Sequence, residues 1–206
     1  MKIDAGVTMS QIISINNDLL PDFSSQGYVV ERELGNNLTG GRVTYQAIDR
    51  EKEKTVVIKQ FQFAQTSSSW FDYEALEREI GLLQQLNHPQ IPKYLNSFET
   101  DNGFCLVQEY KNAASLDLPQ DFTVQQIQQI AQSVLEILIY LQQQKSPVIH
   151  RDIKPENILV DEQLNVYLVD FGLAKIGVEN VAHSMVKGSL GFMSPEQMFN
   201  RNLSTA

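Results

Sequence analysis

The chain has 206 residues, of which 42% are hydrophobic and 20% charged, with a formal net charge of −9. That composition suits one globular domain or a small pair of lobes, and the acidic balance excludes general binding to nucleic acid or anionic membrane, whose phosphates it repels. The single cysteine, Cys105, rules out an intrachain disulfide and fits a reducing, cytoplasmic home. No basic region followed by a continuous apolar run opens the chain, and the most apolar helical run, "VLEILIYL", is too short to cross a bilayer, so no membrane association is expected.

Taken in chain order, residues 1–27 carry "SINNDLLPDFSSQG", a polar stretch of turn formers that reads as a loosely ordered leader or linker. From Tyr28 three runs, "YVVEREL", "RVTYQAID" and "KTVVIKQF", are β-branched and aromatic and are separated by Gly-, Asn- and charge-rich turns. They predict an antiparallel meander. "YEALEREIGLLQQL" places Leu76, Ile80, Leu83 and Leu86 at helical spacing and stops before Pro89. "GFCLVQEY" reads as a further strand. "TVQQIQQIAQSVLEILIYLQQQ" predicts a long amphipathic helix with Val124, Ile127, Ile130, Val134, Leu138 and Leu141 on one stripe. Thr123 and Gln126 form a capping box at its start. Two short strands, "NILV" and "VYLVD", follow. A strand-rich first half and a helix-led second half predict an α+β protein of two lobes, with a ligand in the cleft between them.

The chemistry concentrates near those last strands. Asp170 ends the apolar strand "VYLV" and precedes Phe171-Gly172. A carboxylate there, beside a glycine that lets the backbone turn, is well placed to hold Mg²⁺, which takes one or two hard oxygen ligands from protein and the rest from phosphate and water. Asn157 offers an amide oxygen to share the ion. Asp152, five residues earlier, is then left to accept a proton, and Lys154 adds a cation on the same side of an extended loop. A base, a cation and two metal ligands match the needs of phosphoryl transfer, where spread negative charge must be neutralised and a nucleophile aimed.

With those residues in view, residues 28–206 resemble the eukaryotic-type protein kinases, in several independent parts that keep the family's order. "LGNNLTGGRV" looks like the glycine-rich loop, with Gly35, Asn37 and then Gly40 or Gly41 in the glycine positions. Asn37 suits such a position because asparagine tolerates positive φ. "VVIK" resembles the third-strand lysine motif and supplies Lys59. Glu79 lies where the helix glutamate that pairs with that lysine would be. "HRDIKPEN", "DFG" and "GSLGFMSPEQ" resemble the catalytic loop, the metal-binding motif and the end of the activation segment.

The resemblance implies a serine/threonine protein kinase that uses ATP and Mg²⁺ on a protein substrate, built from an N-lobe of about 28–110 and a C-lobe of about 111–206. It implies that Lys59 holds the α- and β-phosphates and that Glu79 holds Lys59. It also implies that Asp152 orients the acceptor hydroxyl, Lys154 steadies the γ-phosphate, and Asn157 and Asp170 hold the metal. Lys154 marks the serine/threonine branch, and Ser189 stands where that branch usually has threonine. Gln108 would be the gatekeeper. Glu109 and Lys111 would meet adenine through their backbone, with Val43 and Val57 above the base and Leu159 below it. Arg151 before Asp152 implies pairing with an activation-segment phosphate, for which Ser184 is the candidate.

Two departures stand out. Val57 replaces the family's usual small alanine. Only ten residues follow Pro195-Glu196, where the family continues through several more helices. The expectation is therefore a C-terminally shortened kinase domain with an incomplete C-lobe. The alternatives are a truncated fragment or nucleotide-binding scaffold with little or no activity, or a partner covering the exposed C-lobe face.

Overall fold

The computed structural model describes residues 20–37, 41–62, 69–101, 103–176 and 188–199. Gly40 and Ser184 lie outside the described residues, as does the side chain of Asn37. The chain divides into two compact units, residues 1–67 with 95–110 and residues 68–94 with 111–206.

The first unit is built on a five-stranded sheet of order β1-β2-β3-β5-β4. Its strands are β1 (Tyr28–Asn37), β2 (Arg42–Asp49), β3 (Lys54–Phe61), β4 (Tyr94–Thr100) and β5 (Gly103–Glu109). The predicted meander is β1 to β3, paired antiparallel throughout, and β3 also pairs antiparallel with β5. Alternate residues of β2 are buried, and Val43, Tyr45 and Ala47 join Val56, Ile58, Phe98, Cys105 and Val107 in one core. Burial at this spacing is the two-residue period of a strand with one face on a core.

Residues 20–27 correct the reading of a loose leader through residue 27. Phe23 is buried in that same core, edge-on to Tyr45 at 6.2 Å and to Phe98 at 5.5 Å between ring centroids. A 3₁₀ turn over Ser24–Gln26 closes on Gly27 at φ 86°, and Tyr28 N donates back to Phe23 O at 3.1 Å. Tyr28 stacks on Phe98, and its hydroxyl accepts from Asn96 Nδ2 at 3.1 Å.

In the second unit, α1 (Ser69–Gln85) buries Leu76, Leu82 and Leu83 together with Glu79. Ile80, expected in the apolar stripe, is only half-buried, and Leu82 takes the core position instead. This helix was expected in the N-lobe, yet its segment groups with the second unit. Its trailing loop explains this. Asn87 N donates to Tyr140 Oη at 2.7 Å, Leu168 N donates to Gln90 O at 3.0 Å, and the His88 ring lies 4.6 Å from that of Tyr140.

Helix α2 (Val124–Gln142) begins with the predicted capping box, in which Gln126 N donates to Thr123 Oγ1 and Thr123 N to Gln126 Oε1. Its buried residues are Ile130, Ile137 and Leu141, while Val134 and Leu138 are half-buried. Val124 and Ile127, expected in the stripe, are exposed, as are Leu135 and Ile139. The helix is apolar on more than one side, so the 3.6-residue period alone does not single out the buried side. Among the described residues no helix is long and apolar enough to cross a membrane.

Five short strands and a final helical turn complete the unit. β6 (Ala114–Ser115), β8 (Ile158–Val160) and β9 (Val166–Leu168) form one small sheet. β7 (Val148–Ile149) pairs with β10 (Lys175–Ile176), and α3 spans Pro195–Met198. The β8–β9 turn is organised by Asp161, which accepts from Gln163 N, Asn165 N, Asn165 Nδ2 and Tyr167 Oη at 2.8–3.0 Å. Burial pushes the Asp161 carboxyl up, but these hydrogen bonds outweigh it and hold the group below the ordinary aspartate value.

A depressed folded pKa contributes stability that is present above the unfolded value of about 3.9 and is lost as pH falls through the folded one. Asp161→Ala is therefore expected to cost about 1–2 kcal/mol at pH 7. The gap to the wild type should close below about pH 4. Urea unfolding of both proteins at pH 7 and pH 3 measures this, and an equal gap at both values would remove the assignment to the ionised carboxylate.

Candidate active site

The catalytic-loop residues come together in the second unit around the carboxylate of Asp152, which is 6% exposed. Its Oδ1 accepts from Ser189 N at 3.0 Å and from Ser189 Oγ at 2.8 Å. Its Oδ2 accepts from Asn157 Nδ2 at 3.0 Å and pairs with Lys154 Nζ at 3.2 Å. Lys154 Nζ also donates to Ser189 Oγ at 2.8 Å. Asp152, Lys154 and Asn157 of "HRDIKPEN" thus come together, and Ser189 enters the cluster through both its amide and its hydroxyl. Charge-assisted hydrogen bonds of this kind fix a carboxylate's orientation more firmly than neutral ones.

Asn157 sits in a 3₁₀ turn, Pro155–Asn157, just before β8. The proline suits the first position of such a turn, where no backbone donor is needed. The Asn157 side-chain amide gives one hydrogen bond to Asp152 O at 2.8 Å and one to Asp152 Oδ2. Both donors are committed to Asp152, so the carbonyl oxygen is the end left to face a cation. A neutral oxygen from Asn157 and a carboxylate from Asp170 form a donor set suited to a hard ion such as Mg²⁺. Asp170 is half-buried at φ 62°, a left-handed conformation that aspartate tolerates better than most residues. The residue before it ties the two together, since Val169 N donates to Asn157 O at 3.0 Å and Val169 O lies 3.2 Å from His150 Nε2.

His150 is buried, and its ring meets Phe171 edge-on at 4.8 Å. Asp152 N lies 3.4 Å from His150 Nδ1 and can only donate. The ring therefore accepts at Nδ1 and carries its proton at Nε2, where it donates to Val169 O. His150 is thus a packed, hydrogen-bonded residue of the loop. Arg151, at φ 66°, donates from Nε to Leu173 O at 2.5 Å. Burial lowers its pKa, and the Arg78 guanidinium adds to that.

The predicted nucleotide residues divide between the units. Gly35, Asn37, Gly41, Val43, Val57, Lys59, Gln108 and Glu109 belong to the first, and Glu79, Lys111 and Leu159 to the second. In the first unit the register sets Gly35 opposite Thr44, Thr44 opposite Lys59, and Val57 opposite Gln108. Val57, Lys59 and Gln108 therefore share a sheet face, and Lys59 and Gln108 are buried.

Val43 does not share that face. It pairs with Gln60 and packs in the core with Tyr45 and Ala47. The reading of Val43 and Val57 together above the base is corrected on that ground, because adjacent strand residues point to opposite faces. Thr44 is the residue that the register puts beside Lys59. One residue more or fewer in the turn before β2 reverses the face that Val43 takes. Gly41 itself is at φ 59°, and its carbonyl accepts from Gln62 N at 2.6 Å.

In the second unit Leu159 pairs with Ser115 and Tyr167, and the side chain of Lys111 donates to Pro89 O while lying 5.0 Å over the Tyr167 ring. Glu79 is buried on α1 at 2% exposure.

These features accord with the relatives of the chain. Residues 28–206 match the protein kinase domain. The chain is 33% identical over 189 residues to serine/threonine-protein kinase D of Synechocystis, covering 85% of this chain and 37% of that protein. It is 28% identical over 203 residues to serine/threonine-protein kinase pakH of Dictyostelium discoideum, covering 95% of this chain and 38% of that protein. It is 38% identical over 146 residues to serine/threonine-protein kinase B of Synechocystis, covering 62% of this chain and 25% of that protein. The chain thus spans less than two fifths of the length of these curated relatives. With an antiparallel sheet in its first unit, the assembled catalytic loop in its second and a match over residues 28–206, the chain belongs to the protein kinase domain family.

Proposed function

We propose that the chain transfers the γ-phosphate of Mg-ATP to a serine or threonine hydroxyl of a protein substrate, in the cytoplasm. The observation that carries this reading is the Asp152 carboxylate, held by donors from Ser189, Asn157 and Lys154. In this reading Asp152 orients the acceptor hydroxyl and takes up its proton. Lys154, already on Ser189 Oγ, steadies the transferred phosphoryl. Asn157 Oδ1 and the Asp170 carboxylate hold Mg²⁺, which when bound supplies positive charge to the phosphate oxygens. Lys59 holds the α- and β-phosphates, and Gln108 and Glu109 border the adenine. The names of the relatives support the serine/threonine class, as does the lysine two residues after Asp152.

The reading is tested first by binding. A ligand that binds only the native state stabilises it by about 2.7 kcal/mol at a hundred times its Kd. That corresponds to a Tm rise of about 5–10 °C for a chain of this size. Millimolar Mg-ATP is expected to produce a rise of this order in the wild type, and Lys59→Met to remove most of it. A folded wild type whose Tm ignores Mg-ATP would overturn the nucleotide site.

A further inference from the structure

We propose that Gln197, outside the catalytic motif, is a positioning residue that fixes the peptide carrying Asp152; the proposal rests on the phosphoryl-transfer reading above. The Gln197 side chain is engaged at both ends. Its Nε2 donates to Arg151 O at 2.8 Å. Its Oε1 accepts from Ser194 N at 3.2 Å and from Ser194 Oγ at 3.4 Å. An amide turned the other way would set oxygen against the Arg151 carbonyl and nitrogen against the Ser194 amide, so the two contacts select one orientation. Gln197 is the third residue of α3, and this side chain joins that helical turn to the catalytic loop across 46 positions of sequence.

What it holds is the peptide plane between Arg151 and Asp152. The oxygen of that plane takes the Gln197 hydrogen bond, and its nitrogen, Asp152 N, meets His150 Nδ1 at 3.4 Å. With both ends held, the plane cannot rotate without breaking a contact, and Asp152 hangs from it. The plane needs holding because Arg151 has φ 66°, which for a residue with a side chain costs about 1–2 kcal/mol. A backbone in that state persists only where its surroundings over-determine it. The Arg151 side chain supplies one restraint through Leu173 O, and Gln197 supplies the other through the carbonyl.

Gly188 completes the arrangement. A Cβ there would lie 3.0 Å from Gln197 Nε2, 3.0 Å from Met193 Cγ and 3.1 Å from Arg151 O. Glycine therefore lets the chain pass directly over the Gln197–Arg151 hydrogen bond. The next residue, Ser189, binds the Asp152 carboxylate, so one short segment roofs the peptide plane and then grips the side chain that hangs from it.

Two variants separate positioning from helix capping. Gln197→Glu keeps an acceptor for Ser194 N but loses the donor to Arg151 O. Ser194→Ala loses the hydroxyl but keeps its backbone amide and the Gln197–Arg151 bond. Backbone hydrogen–deuterium exchange over residues 150–154 and steady-state phosphorylation of a serine peptide are measured on the chain carrying each change.

Gln197→Glu is expected to speed exchange in that stretch about tenfold and to lower kcat by about ten- to a hundredfold, with KM for ATP within about twofold. Ser194→Ala should leave exchange and kcat within about twofold of the wild type. Unchanged exchange in Gln197→Glu, or equal effects from Ser194→Ala, would overturn the proposal. A wild type that transfers no phosphate would overturn the kinase reading instead, and the exchange comparison would still decide whether Gln197 holds the peptide.

Discussion

Asp152→Asn is expected to lower phosphoryl transfer by about 10²- to 10⁴-fold, the usual contribution of a positioned base, while leaving the Mg-ATP-dependent rise in Tm in place. The carboxylate has two equivalent acceptor ends and the structure uses both. Ser189 N and Oγ approach one, and Asn157 Nδ2 and Lys154 Nζ approach the other. An asparagine has a single oxygen, so its NH₂ must face one pair of these donors, and the negative charge opposite Lys154 is gone. A donor left without an acceptor costs about 1–3 kcal/mol where it is buried, as Asn157 is, and less at Lys154 and Ser189, which are only half-buried. A fall in Tm should therefore accompany the loss of rate, at about 2–4 °C for each kcal/mol in a chain of this length. Rate and Tm are read on the same preparation at a temperature well below both melting points. Transfer within tenfold of the wild type would show that Asp152 is not aimed at the acceptor.

The second large effect is on stability and lies far from the catalytic loop in sequence. Gly103 opens β5 at φ 139°, and a Cβ built there would fall 1.9 Å from Phe61 O and 2.9 Å from Phe61 C. Both are backbone atoms, and Phe61 and Phe104 are partners in the β3–β5 ladder, so neither strand can yield without losing register. Gly103→Ala is expected to cost more than about 4 kcal/mol, the range reserved for gross steric or packing failure. The Tm should drop by about 8–16 °C.

Gly81 is the internal comparison. It lies within α1, and a Cβ there meets nothing within 4 Å. Gly81→Ala should raise stability by about 0.5–1 kcal/mol through helix propensity alone. Thermal melts of the two variants beside the wild type suffice, and a Gly103→Ala protein that melts within a few degrees of wild type would contradict the close approach.

What could be read in the sequence follows from how local each signal is. The Thr123–Gln126 cap joins residues three apart and formed as expected, and the Asp152–Asn157 contact is nearly as local, spanning five positions. Phe23 could not be read, because one aromatic among "PDFSSQG" gives no period, and its value comes from Tyr45 and Phe98 at a distance. The face of Val43 depends on how many residues the turn before it contains, and one residue reverses the assignment. In α2 the pattern supplied more apolar positions than one face needs, so the choice among Ile127, Ile130 and Ile137 rested with the neighbouring elements. Gln197 was unreadable for a further reason: its partner is a backbone carbonyl, and carbonyls leave no trace in the choice of amino acid.

The catalytic segment also shows where the instructions for its shape reside. Arg151 and Asp170, one just before Asp152 and one just before Phe171-Gly172, are both left-handed residues with side chains. Neither conformation is one that its own neighbours in sequence would choose. A free peptide of the sequence "HRDIKPENILV" would carry every reactive group and place almost none of them. The memory of the loop is stored elsewhere in the chain, in Leu173, Ser189 and Gln197, so copying the motif into another scaffold without those three would transfer the letters and lose the grammar.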